Sequence, residues 1–132
     1  AVALMLEDAL GQDMGAYYTS VFQRYDLRTK VAAFFEDYDL LLTPTLPVPA
    51  FEIGLNGPPG YPQGNTFAWI YYTYPFNLTG LPAASIPAGF TEDGLPVGLQ
   101  IVGRHLMETD ILAAAAAFEE AQPWADRKPP LH

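Results

Sequence analysis

The sequence has 132 residues, a net charge of −9 and 16% charged residues, against about 25% in an ordinary soluble domain. Its few lysines and arginines are scattered and form no basic stripe to neutralise phosphates, which argues against nucleic acid as a direct partner. Cysteine is absent, which excludes thiol nucleophiles, disulfides and thiolate metal sites and fits an intracellular, cytoplasmic protein.

The length suits one domain, able to bury roughly two thirds of the surface its unfolded chain exposes. The charge shortage is local: no Asp, Glu, Lys or Arg lies between Glu52 and Glu92, a stretch rich in aromatic residues.

In chain order, the opening AVALMLEDALGQDMG has acids inside its apolar run and no basic residue ahead of it, so it reads as a helix and not as a secretory signal. From Thr19 to Asp37, apolar residues recur near helical spacing at Val21, Phe22, Tyr25, Val31, Phe34, Phe35 and Tyr38, which predicts a second helical stretch. A short β-friendly run follows, Asp39 to Thr43, stopped by Pro44; Pro47 and Pro49 then enforce an extended path. Residues 51–63, with NGPPGYP at their centre, read as an irregular loop. Asn65 is positioned to cap a helix over Thr66 to Tyr74, ended by Pro75.

AASIPAGF and LPVGLQIVG, joined by TEDG, predict a β-hairpin whose turn exploits Asp93 and Gly94, and their lack of charge predicts cover on both faces. ETDILAAAAAFEEAQPW predicts a last helix capped by Thr109, carried by alanines and stopped before Pro123. Pro75, Asn77, Pro82 and Pro87 interrupt the longest apolar region, so no bilayer span is expected. The sum is an α/β layer arrangement with few strands and no internal repeat.

The residues offer little chemistry of their own. The two serines, Ser20 on a helix and Ser85 in the hairpin, have no base close in sequence, and Ser85 reads as a small buried hydroxyl bonded to backbone. Lys30 and Lys128 read as solvated charges. His105 with Glu108 and Asp110 has the donors for a metal, yet a histidine at a strand-to-helix junction is more often a turn residue, so no metal or cofactor is expected. The acids of residues 36–39, 92–93 and 119–120 fall at helix ends and turns, where charge is solvated. The NLT at Asn77 matches a glycosylation sequon without other signs of secretion.

Four blocks in this order and spacing, YDLLLTPTLPVPAF, PFNLTGLPAASIPAGF, GLPVGLQIVGR and ETDILAAAAAFEEAQPW, resemble the C-terminal part of an amidase-signature enzyme, over residues 34–130. The resemblance implies a few-stranded mixed sheet with flanking helices, a fragment of the larger fold, with residues 1–132 forming one partial domain. It also implies hydrolysis of carboxylic amides by a serine nucleophile, a relaying serine and a lysine base. This sequence has no Ser-Ser pair and no Gly-Gly-Ser run, so the chain is expected to contribute no catalytic group and to hydrolyse nothing alone.

The implied partners are the missing N-terminal catalytic half and a small amide substrate. Further copies of the chain are a third, associating through the exposed apolar face, since large apolar patches are rare on monomers. Phe67, Ile70 and Tyr74, at i, i+3 and i+7, are expected on one helical face lining the substrate channel. An acid usually stands where Ile70 does in the glutamine-using component of the related glutamyl-tRNA amidotransferase, so Ile70 favours a hydrophobic or aryl amide over a free amino acid. That amidotransferase component, and a catalytically empty interaction module keeping the scaffold, are the two rival expectations.

Overall fold

The computed structural model describes residues 6–7, 9–55, 57–61 and 69–128. The first long helix, α1, runs Met14–Asp37, five residues further toward the N-terminus than its apolar spacing predicted. Strand β1 is Leu40–Pro44, helix α2 is Tyr74–Thr79, strands β2 and β3 are Ala83–Phe90 and Pro96–Gly103, and helix α3 is Glu108–Ala121. Pro44 belongs to β1 as its last residue, which is tolerated because β1 lies at an edge of the described sheet.

The three described strands lie in the order β1-β3-β2, and both pairings are antiparallel. The resemblance implied a mixed sheet. A parallel pair needs a crossover of a dozen or more residues; the one long connection among these strands leads from β1 to β2, and β3 separates them. The expected hairpin is present: Thr91 and Leu95 close its loop, with Thr91 N–H donating to Leu95 O at 2.8 Å and Leu95 N–H to Thr91 Oγ1 at 3.0 Å. Gly94 takes φ 82° there, where a side chain would be strained. A bulge between Pro87 and Gly89 sets the stretch from Ala83 to Phe90 of β2 against the stretch from Pro96 to Val102 of β3, one residue shorter.

Alternation along the strands separates two faces. On one, Val102 stands between Leu41 and Ala83 and meets Phe35 of α1 and Phe76 of α2, with Val31, Phe34 and Leu81 around them. Burying side chains of this kind contributes roughly 1.5–3 kcal/mol each. On the opposite face α3 lies over Gly103, whose missing side chain admits Ile111: a Cβ there would stand 2.9 Å from Ile111 Cγ1. Arg104 joins the two layers through Nη2, 3.2 Å from Asp39 Oδ1 and from Asp110 Oδ2. All three side chains reach solvent, so each pair contributes at most about 1 kcal/mol.

Two local expectations are corrected. Thr109 does not cap α3, because Met107 occupies the N-cap position and Thr109 lies inside the first turn, where Glu108 and Asp110 complement the helix dipole. Pro75 begins a helix instead of ending one. Residues 69–73 form turns, and Pro75 sits in the first turn of α2, where a missing N–H costs nothing. Gly80, at φ 70°, then closes α2 by donating to Phe76 O at 2.9 Å.

Candidate functional site

Beyond the Leu41–Val102–Ala83 row, the α1-facing side of the sheet turns polar. In the next row Gln100 lies between Thr43 and Ser85. Gln100 is 4% exposed, and its side-chain amide donates to Thr43 Oγ1 at 2.9 Å and to Tyr72 O at 2.8 Å, so its donors are satisfied although buried. The second bond fastens the turn segment 69–73 to the sheet. Where that segment meets α2, Tyr74 N–H donates to Ile70 O at 3.0 Å, a single α-type turn. Trp69 packs edge-on against Phe51, its ring centroid 5.8 Å away.

One row further on, Gly98 separates β1 from β2 without a side chain. Thr45 N–H donates to Gly98 O at 2.9 Å, and the Thr45 and Ser85 hydroxyls meet across the glycine at 2.6 Å. A Cβ on Gly98 would stand 2.7 Å from Thr45 Oγ1 and 2.8 Å from Ser85 Oγ, so only glycine leaves room for the pair. Above them opens a cavity of about 540 Å³, walled by residues 45–50 and by Pro87, Thr91 and Pro96, without an ionisable side chain. Ser85 is therefore an exposed hydroxyl paired with a threonine, not the buried, backbone-bonded group expected, because its position in β2 points it over a glycine.

The predicted site residues are only partly brought together. Phe67 lies outside the described residues. Ile70 is half-buried and Tyr74 is exposed; of the helix expected over Thr66 to Tyr74, the described residues 69–73 form turns and Tyr74 begins α2. Neither residue lines the 540 Å³ cavity. His105 lies in an exposed turn, and among the described residues no group of three His, Asp or Glu side chains is placed to hold a metal ion. Gln100, Thr45 and Gly98 were missed by sequence reasoning. A lone amide inside the apolar run PVGLQIVG was the available signal for Gln100, since a polar group in a covered strand needs a fixed partner.

Comparison with known proteins places the chain. A family model described as Amidase matches residues 4–112. The chain belongs to the amidase family. The match starts earlier than the quoted blocks and ends inside α3. An acylamidase from Rhodococcus erythropolis is 41% identical over 111 residues, which are 80% of this chain and 23% of that protein. A glutamyl-tRNA(Gln) amidotransferase component from Synechococcus is 45% identical over 97 residues, 74% of this chain and 18% of that protein. The solved structure of a 6-aminohexanoate cyclic dimer hydrolase complexed with substrate superposes with a TM-score of 0.83 at 31% identity, covering 97% of this chain and 29% of that one. The chain thus spans about a quarter of the length of these amidase relatives. Among the described residues no helix is long and apolar enough to cross a membrane.

Proposed function

We propose that this chain forms scaffold and part of the substrate-pocket wall of an amidase acting on carboxylic amides, in the cytoplasm. The observation that carries the reading is the family match across residues 4–112 together with a wall segment, 69–74, fastened to the sheet by Gln100. Ile70 and Tyr74, with Phe67, are the pocket residues proposed, and their apolar character suits an aryl or alkyl amide. The serine nucleophile, the relaying serine and the lysine base belong to the part of the family fold that this chain does not span, so the chain alone is inactive. That catalytic part is the partner proposed for the apolar side chains exposed along α1, Met14, Tyr17, Tyr18, Phe22 and Tyr25; association between copies is their second use.

The test is a chimera in which this chain replaces the matching segment of the Rhodococcus erythropolis acylamidase. The chimera is expected to hydrolyse p-nitroacetanilide, and the 132-residue chain alone is not. Turnover by the pure chain, or a folded chimera without turnover, would overturn the proposal. The amidotransferase reading is favoured by the 45% identity to the Synechococcus protein; a chimera releasing ammonia from glutamine faster than it cleaves the aryl amide would select it.

A further inference from the structure

The cavity over Gly98 is lined by neither Ile70 nor Tyr74, the pocket residues proposed above. Its volume of about 540 Å³ falls in the range of small-molecule sites, which run from about 300 to 1,000 Å³ and combine apolar walls with a few placed polar groups. Pro47 and Pro49 restrict φ along one wall, so it has less freedom to lose on binding. The floor carries the Thr45–Ser85 hydroxyl pair. Two hydroxyls bring two protons, and their mutual bond uses one, so one O–H is left to donate. No lining side chain is charged, and a carboxylate or ammonium entering here would lose water without gaining a counter-charge.

We propose that this cavity binds the apolar acyl portion of a neutral amide, its carbonyl oxygen accepting the spare proton of the Thr45–Ser85 pair. Gly98 is the device that makes the site, because any other residue would wedge the two hydroxyls apart. The choice of an amide rests on the amidase reading; the cavity and its donor do not.

Hexanamide titrated into the 15N-labelled 132-residue chain is expected to shift the backbone amides of Thr45, Ser85 and Gly98 saturably. Hexanoate, charged at the same chain length, should bind about tenfold or more weaker. Thr45→Val combined with Ser85→Ala removes both hydroxyls, and with them the spare donor, and should weaken hexanamide about fivefold, the worth of one hydrogen bond. Ala50→Trp, on the exposed wall, should fill the cavity and abolish the shifts. The proposal is overturned by an absence of saturable shifts at these amides, by hexanoate binding as well as hexanamide, or by a Thr45→Val, Ser85→Ala double variant that binds unchanged. Binding is read here without turnover. Loss of the shifts therefore overturns this site and leaves the amidase reading to the chimera, whereas an inactive folded chimera overturns that reading and leaves the shifts to decide the site.

Discussion

The two ends of β3 make different structures from one uncharged strand. From Gln100 to Gly103 every residue is buried, between α1 and α2 on one face and α3 on the other. At the opposite end Pro96 and Val97 are exposed, and the cavity opens beside them. The same division runs along α1, where Val31, Phe34 and Phe35 near its C-terminal end pack on the core while Tyr17, Tyr18, Phe22 and Tyr25 stand in solvent. Apolar composition therefore marks what is able to be covered, and the position of the covering helices decides what is.

Mutations should expose this asymmetry. Phe35→Ala removes a ring that is 7% exposed and packs edge-on against Phe34 at 5.2 Å; a loss of about 3–5 kcal/mol is expected in urea unfolding. A loss under about 1 kcal/mol would mean that the α1 contact is not part of a rigid core. Gly103→Ala places a Cβ 2.9 Å from Ile111 Cγ1. Overpacking of that kind should lower stability by about 1–3 kcal/mol, and the paired change Gly103→Ala with Ile111→Val should recover part of it, read by the same unfolding midpoint. Val97→Ala, at a side chain 40% exposed on the open end, should stay within about 0.5 kcal/mol of the parent. A larger effect would show that the open end is covered in solution.

Much of the fold was legible because its signals are local. The helical spacing around Val31, Phe34 and Phe35, the TEDG turn between two apolar runs, and the alanine-rich segment before Pro123 each fix backbone geometry within a few residues. The errors were also local signals, read in the wrong direction. Proline both ends helices and begins them, and at Pro75 the tertiary contacts of Phe76 with Phe35 and Val102 placed the helix after it. Thr109 had the chemistry of a cap, but the N-cap falls two residues earlier, at Met107, after the chain turns through Leu106 at φ 62°.

The site was less legible. Ile70 and Tyr74 were named from a helix that the described residues do not form, although one α-type turn still joins them. The Thr45–Ser85 pair links residues 40 apart in sequence, and Gln100 reaches 28 residues back to Tyr72 O. Neither link leaves a periodicity or a motif to detect.

The sequence by itself determined the family, the hairpin, the long helix before β1 and the uncharged character of the region between Glu52 and Glu92, because propensity, turn chemistry and composition act on neighbouring residues. Only the tertiary structure decided that β3 lies between β1 and β2, that Gly98 brings two hydroxyls together, and that one end of the sheet is closed while the other stays open. Those outcomes depend on which distant surfaces pack against each other, and the packing free energy belongs to the assembled layers and to no single segment.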